Sequence, residues 1–145
     1  MIDKAYYNNK RILAIDYGLK RIGFAYTDEL KISINYLPFF ENNDKAIFKL
    51  QRIINECRID LIIIGDPLNI KNNKLFKNSL EKFIVQLKEN LKINVITIDE
   101  SNTTEESYKL ISEVKIRKSK RKENKDSFSA GIILKNFIEE LKWNI

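Results

Sequence analysis

The sequence contains no histidine and only one cysteine, Cys57. Without an imidazole, the chain has no ordinary general base near neutral pH, so histidine-dependent triads are excluded, and the commonest zinc ligand is missing. A single cysteine excludes an internal disulfide. Its place among apolar residues at helical spacing favours a buried core thiol over a nucleophile. Any catalysis must therefore depend on carboxylates and lysines.

Long hydrophobic runs are also missing. Apolar segments such as "LIIIG" are far shorter than the roughly 20 residues of a transmembrane helix, and the start "MIDKAYYNNK" lacks the apolar stretch of a secretory signal. We therefore expect a soluble, cytoplasmic protein without a membrane partner. A chain of 145 residues, 43% of them hydrophobic, fits a single domain spanning 1–145.

Positive charge exceeds negative charge, and the formal net charge is +6. Clustered Lys and Arg bind polyanions such as nucleic acids by releasing counterions, although coding bias toward Lys, Asn and Ile would give the same excess. The densest cluster is the run "KIRKSKRKENKD", which predicts either a mobile nucleic-acid clamp or a solvated loop. Its candidate phosphate contacts are Arg117, Lys118, Lys120, Arg121 and Lys122.

The spacing of apolar residues predicts an α/β fold. Residues 11–17 and 21–28 read as strands joined through Gly18, and "KISINYLPFF" predicts a third strand that ends at Pro38, giving an antiparallel meander. From a helix capped near Asp44 onward, the order over 45–98 is helix, strand, helix, strand, which implies two parallel strands. A helix start follows Asp99, and 126–143 predicts a core-packing helix.

The second strand has a face made only of small residues, Gly23, Ala25 and Thr27. Side chains alternate between the two faces of a strand, so these three lie on one side and the larger Ile22 and Phe24 on the other. The small face therefore allows something to approach this strand closely.

Acidic side chains follow the apolar strands. Asp16 follows "ILAI", Asp66 follows "LIIIG", and Asp99 and Glu100 follow "INVITI". In a sheet with parallel crossovers, ligands bind beyond the carboxyl ends of the strands, so all four acids fall at one edge. Asp126 opens the final helix, where the macrodipole favours a carboxylate, and packing across the sheet would bring it beside Asp16.

Carboxylates that converge repel one another unless a cation neutralises them. Oxygen ligands without His or Cys select Mg²⁺ or Mn²⁺, and a two-metal phosphoryl-transfer site is the expected use. Each acid taken alone is more often a solvated strand end or helix cap than a ligand, and it is the set of acids at one edge that favours a metal site. The motif of Asp16 followed by Gly18 also occurs in actin-like and sugar-kinase folds, but these require a second such half and a longer chain.

Four segments in order give the chain a resemblance to the YqgF/RuvX family of the ribonuclease H-like superfamily. "AIDYGLKRIGFAYTD" matches the opening signature of the family, and "IIIGDPLN", "DESNTTEES" and "KDSFSAGIILKNFIE" are similar to its later segments. Family members are named for Holliday junction resolution and are linked to trimming of precursor small-subunit ribosomal RNA. The resemblance implies a ribonuclease H-like fold, with Asp16, Glu100 and Asp126 as catalytic acids.

Two positions depart from the family pattern. Ser101 stands where the family usually has Arg, which removes a planar donor suited to phosphate; Lys and Arg of the basic run are candidate substitutes. Asp66 stands where the family usually has an apolar residue, so it is either an additional metal ligand, together with Asp99, or a solvated loop residue. Lys20 and Arg21 are candidate phosphate contacts, and Arg21 is equally interpretable as a surface residue.

The sequence therefore predicts a nuclease dependent on Mg²⁺ or Mn²⁺, with Asp16 shared by two ions and Glu100 and Asp126 completing one each. We expect it to process the 5′ end of pre-16S rRNA. Two alternatives stay open: a resolvase of branched DNA, and a ribosome assembly factor that binds nucleic acid without catalysis. RNA and DNA present the same phosphates, and the expected state is a monomer or a weak homodimer.

Overall fold

A mixed sheet of five strands forms the centre of the protein. The structure is a computed structural model that describes residues 4–31, 33–66, 73–99 and 125–143, with the backbone alone at Lys4, Asp99, Lys125, Asp126, Lys142 and Trp143. The elements in chain order are helix α1 (Lys4–Tyr7), strands β1 (Ile12–Asp16), β2 (Arg21–Thr27) and β3 (Ile34–Glu41), helix α2 (Ala46–Glu56), strand β4 (Leu61–Asp66), helix α3 (Lys74–Leu91), strand β5 (Asn94–Asp99) and helix α4 (Lys125–Trp143).

The strands lie in the order β3-β2-β1-β4-β5. The strands β1, β2 and β3 pair antiparallel, and β4 pairs parallel with both β1 and β5. This arrangement confirms the predicted meander followed by two parallel strands. Because β1, β4 and β5 are parallel, their carboxyl ends meet at one edge of the sheet, which we call the carboxyl edge.

Alternation along the strands divides the core into two layers. Leu13, Ile15 and Ile62 belong to the layer between the sheet and helices α2 and α3, which we call the α2/α3 face. Ile12 and Ala14 belong to the layer between the sheet and α4, which we call the α4 face. The strand β4 is buried on both faces up to Gly65, as its continuous apolar run predicts.

The small face of β2 is where α4 packs, so the helix makes the close approach that this face allows. Ala25 is fully buried there. The helix contributes its own small residue, Gly131. A Cβ atom built at Gly131 would lie 2.4 Å from Cε1 of Tyr36 in β3. The small residues at both surfaces therefore let the helix backbone lie close to the sheet.

The prediction that the third strand ends at Pro38 is wrong, because β3 continues to Glu41. The pairing shifts register between Ile22 and Phe24, whose partners are Phe40 and Leu37. Two residues of β3 therefore face one of β2, which is a bulge. Since β3 is an edge strand, Pro38 is tolerated at the bulge, where its missing N–H breaks no required ladder bond.

The first long helix begins close to the predicted position, with Lys45, next to Asp44, at its N-cap and no side-chain capping bond from Lys45. Asp44 precedes the helix by two residues, and the first turn is organised by Asn43 instead. The Asn43 side-chain oxygen accepts from the Lys45 N–H at 2.9 Å, and the Asn43 backbone oxygen accepts from the Ala46 N–H at 3.0 Å. Cys57 follows the helix and is partly buried against the α2/α3 layer, less completely than predicted.

The helix predicted after Asp99 and the basic run that follows it lie outside the described residues. Among the residues that the structure describes, no helix is long and apolar enough to cross a membrane.

Candidate active site at the carboxyl edge

Asp16 is the last residue of β1 and lies at the carboxyl edge. It pairs with Gly23 of β2, and it is half-buried. Its alternation with Ile12 and Ala14 places it on the α4 face. Asp16 therefore lies beside glycine, which has no side chain, on the face of the sheet that the final helix covers.

A tight turn after β1 fixes the position of Asp16. A Cβ atom built at Gly18 would lie 2.5 Å from the backbone oxygen of Arg21, so glycine is required there by close approach. The Asn42 side chain donates to the Gly18 oxygen at 2.8 Å, and the Asn42 backbone N–H donates to the Lys20 oxygen at 2.8 Å. The hairpin is thus tied to the chain that leaves β3.

The first turn of α4 is anchored at the same end of the sheet. Ser127 is fully buried, and its hydroxyl donates to the backbone oxygen of Leu37. Leu37 pairs with Phe24, and Phe24 pairs with Ile15. The backbone of Asp126, one residue before this anchor, therefore lies on the α4 face, level with the end of β1 and about two strands to its side.

The neighbouring strand β4 places a glycine, its second-last residue, beside Asp16. The pairing of β1 with β4 runs up to Ile15 beside Ile64, so the next pair in the parallel register is Asp16 and Gly65. Gly65 in turn pairs with Ile98 of β5. Glycines therefore flank Asp16 on both neighbouring strands, Gly23 in β2 and Gly65 in β4.

Asp66 and Asp99 pair with each other at the ends of β4 and β5. Ile62 and Ile64 pack on the α2/α3 face, and the alternation of β4 puts Asp66 on that same face, opposite Asp16. The Asp66 side chain is exposed. The edge thus carries acids on both of its faces, with Asp16 on one and Asp66 on the other.

Several predicted site residues lie outside the described part of the chain. These are Glu100 and the basic residues of 117–122, and the side chains of Asp99 and Asp126 belong with them. Within 4–31, 33–66, 73–99 and 125–143, no group of three or more acidic, His or Cys side chains lies close enough to hold a metal ion.

Lys20 and Arg21 are exposed in the turn and first position of β2, directly beside the carboxyl edge. The Arg21 guanidinium lies 5.0 Å from the centre of the Phe39 ring, a distance at which the cation is attracted to the ring face. This contact orients Arg21 along the edge while leaving it accessible to solvent.

Sequence reasoning missed a polar contact behind the site. Tyr17 follows Asp16 but lies on the α2/α3 face, where its hydroxyl shares a hydrogen bond with Ser79 of α3. Its ring also packs against Phe83 at 4.9 Å between centroids. Alternation along β1 signals that Tyr17 points away from Asp16, but its partner 62 residues later carries no local signal.

Sequence comparison places the chain in a family. The family described as "RuvX: Holliday junction resolvase" matches residues 10–140. A relative from Mycoplasmopsis synoviae named "Putative pre-16S rRNA nuclease" is 33% identical over 136 residues, covering 91% of this chain and 99% of the relative. A relative of the same name from Endomicrobium trichonymphae is 36% identical over 133 residues, covering 89% and 95%.

Comparison of structures gives the same fold. RuvC of T. thermophilus, solved in complex with a Holliday junction substrate, superposes with a TM-score of 0.61 at 7% identity, over 90% of this chain and 96% of that one. The Fowlpox virus resolvase, in complex with Holliday junction DNA, gives 0.51 at 18% identity, over 88% and 98%. These likenesses confirm the predicted ribonuclease H-like fold.

The family predicted from four short segments is thus confirmed over nearly the whole chain, and with it the reaction class. The chain belongs to the RuvX Holliday junction resolvase family, whose members are nucleases that hydrolyse phosphodiester bonds.

Proposed function

We propose that this protein cleaves RNA at the carboxyl edge of its sheet and processes the 5′ end of pre-16S rRNA. The observation that carries the proposal is the placement of Asp16 at the end of β1, on the face covered by the helix that begins next to Asp126. The names of the relatives from Mycoplasmopsis synoviae and Endomicrobium trichonymphae support an RNA substrate.

The proposed catalytic acids are Asp16, Glu100 and Asp126. The buried bond from Ser127 anchors the start of α4 on the same face as Asp16. In β5, Ile96 and Ile98 pack toward the α4 layer, and the next residue of that alternating set is 100. Three separate segments of the chain therefore lead toward one face of the carboxyl edge.

The donor chemistry fits a hard divalent cation. The chain has no histidine, and its single thiol follows α2 on the other face of the sheet, so the ligands at this edge are carboxylate oxygens, which suit Mg²⁺ or Mn²⁺. Asp16, Glu100 and Asp126 would hold the ions; Asp66 and Asp99 stay predicted additional ligands. When bound, a pair of such ions lowers the pKa of a water nucleophile and stabilises the leaving oxygen.

The side chains around this edge would position the substrate. Lys20 and Arg21 are exposed beside Asp16, so each is placed to contact a backbone phosphate next to the scissile one. Arg117, Lys118, Lys120, Arg121 and Lys122 are proposed to clamp the strand. This arrangement would replace the planar donor that Ser101 lacks. A single site suffices to trim an RNA end, so the proposed activity requires only a monomer, in the cytoplasm.

The test is cleavage of a labelled RNA that joins the 5′ precursor segment to mature 16S sequence, with Mn²⁺ present. Asp16→Asn should lower the rate by roughly a hundredfold or more, because metal ions contribute several kcal/mol of transition-state stabilisation. Glu56→Gln is the matched control, since it also removes one negative charge but lies on the exposed surface of α2. Unchanged cleavage by Asp16→Asn would refute the site.

Two further measurements separate the alternative functions. Cleavage of a four-way DNA junction without cleavage of the RNA would show that the substrate is branched DNA and not RNA. If neither is cleaved and charge reversal within 117–122 abolishes RNA binding, the protein is a binding factor without catalysis.

A further inference from the structure

A groove of about 650 Å³ lies between α2 and α3, on the α2/α3 face. This volume falls within the range of small-ligand sites in proteins. Tyr17 and Ser79, joined by their hydrogen bond, form part of its wall. Because Tyr17 directly follows Asp16, and Asn42 of the same lining holds the Gly18 carbonyl, the groove opens next to the carboxyl edge.

The lining of the groove is rich in amides. Asn43, Gln51, Gln86 and Asn90 supply side-chain amides, each of which both donates and accepts hydrogen bonds. Within the described residues, the Gln86 amide has no hydrogen-bond partner, so it is available to a ligand. A lining of this kind matches a ligand edge that alternates donors with acceptors, as the edge of a nucleobase does.

An exposed aromatic ring stands at the same groove. Phe48 of α2 is 71% exposed, although most of its apolar neighbours in the helix are buried or half-buried. A ring of this kind offers a flat surface on which a base can stack, and such stacking is possible only for a base that is not already paired in a duplex.

The charges of the lining argue against a phosphate as the bound group. Lys82 is a cation and Asp44 is an anion, and the lining includes no arginine. These charges offset one another, so the groove has no excess of positive charge to hold a phosphate. A neutral base fits better, since it needs no excess of positive charge and the Asp44 carboxylate can accept from an exocyclic amino group.

From these observations we infer that the groove binds an unpaired nucleobase of the substrate strand, which would pass over the carboxyl edge from Asp16 on the α4 face to the α2/α3 face. The inference rests on the proposed nuclease function, because that function brings a nucleic-acid strand to the carboxyl edge. The site would select substrates in which a single-stranded segment flanks the cleavage point.

The test measures binding of the full chain to a ten-nucleotide single-stranded RNA and to a duplex of the same length, in EDTA. Phe48→Ala should weaken binding of the single strand about fivefold or more, because a stacked base contributes measurably to affinity, and should leave duplex binding unchanged. Leu75→Ala is the matched control, since Leu75 is 70% exposed in α3 and does not line the groove. It should change neither affinity.

Two additional arms identify the bound group. Replacing single bases of the strand by abasic sites should reproduce the loss at one position only, and that position should have no effect in Phe48→Ala. Gln86→Leu should change the preference among the four homopolymers, an effect that a purely structural residue would not produce.

The inference is overturned if Phe48→Ala binds the single strand as the unmodified protein does, or if Leu75→Ala loses the same affinity. It is also overturned if AMP, GMP, CMP or UMP binds in a Phe48-dependent way while the strand does not. Because binding is measured without metal, a Phe48-dependent loss in a protein that fails to cleave RNA would refute the nuclease proposal alone. Cleavage with no dependence on Phe48 would refute this inference alone.

Discussion

The Ser127 hydroxyl donates to the backbone oxygen of Leu37, and this bond joins the first turn of α4 to the edge strand β3. Ser127 is completely buried, so the Leu37 oxygen would lose its side-chain donor in a place that water does not readily reach. Ser127 directly follows Asp126 in the chain. The bond therefore helps to fix the position of this proposed catalytic acid in the first turn of α4.

Ser127→Ala should lower the free energy of unfolding by about 1–2 kcal/mol, the usual result when a buried acceptor loses its donor. RNA cleavage should fall as well, because the start of α4 is less firmly held. Urea titration followed by circular dichroism measures the first effect. Ser33→Ala, at an exposed position, should change stability by less than about 0.5 kcal/mol; equal effects of the two changes would contradict the anchoring role.

Gly131 and Tyr36 test the close packing of α4 on the sheet. Gly131→Ala should destabilise the protein by about 1–3 kcal/mol, since the added methyl group meets the Tyr36 ring. In a Tyr36→Ala background the same change should be neutral or stabilising, because alanine favours helix over glycine. A double-mutant cycle of urea titrations measures this coupling. Additive effects would show that the Tyr36 ring moves aside without cost, and would contradict the close packing.

Gly18→Ala should open the turn that holds Asp16. The added Cβ meets the backbone oxygen of Arg21, which cannot move without loosening the hairpin, so we expect a loss of about 1–3 kcal/mol in stability. Asn42→Ala removes only the side-chain bond to Gly18 and should cost about 1 kcal/mol. Thermal unfolding of both variants checks the order, and a Gly18→Ala protein as stable as the original would contradict the tight turn.

Divalent ions should stabilise the folded protein against heat through the proposed metal site. A ligand that binds only the folded state raises the melting temperature as its concentration rises, so Mn²⁺ should raise it and EDTA should reverse the rise. Asp16→Asn should abolish the effect. Asp66→Asn should preserve most of it, because Asp66 lies on the opposite face of the sheet by alternation; loss of the effect in Asp66→Asn would make this residue a ligand.

Stability in alkali should depend on Tyr26. Burial raises the pKa of Tyr26, and the adjacent Cys57 thiol raises it further. Since the folded pKa exceeds the ordinary value of 10.0, the folded protein keeps a proton that the unfolded chain releases. Stability is therefore retained below pH 10.0 and falls as the pH rises through the folded pKa.

Urea titrations at several pH values between roughly 9 and 11 measure this dependence. Tyr26→Phe should flatten the decline, and Cys57→Ala should flatten it less, since burial is the larger cause. An unchanged slope in Tyr26→Phe would contradict the raised pKa.

The strand directions were predictable because each step is local or governed by topology. The meander follows from short turns, and the two parallel strands follow from helices with clear apolar spacing, such as α3 with Leu80, Phe83 and Leu87 buried. The residues at which helices and strands begin and end were less predictable. Pro38 suggests a strand end, but an edge position with a bulge overrides that local preference.

The sequence predicted which edge of the sheet carries the site, because the last residues of parallel strands lie at the same edge. The side of the edge was not stated for each acid, although alternation places Asp16 and Asp66 on opposite faces. The groove beside the edge was beyond sequence reasoning. It is lined by residues of α2 and α3 together with Tyr17, and the bonded pair Tyr17 and Ser79 is distant in the chain.

The packing of α4 on β1, β2 and β3 has a consequence for synthesis on the ribosome. The meander is translated long before α4, and domains acquire structure in the order in which their segments emerge. Until the helix arrives, Ile12, Ala14 and Ala25 remain uncovered and Asp126 has not yet been made. A nascent chain would thus complete the proposed site, and with it the proposed cleavage of RNA, only after the late helix has left the ribosome.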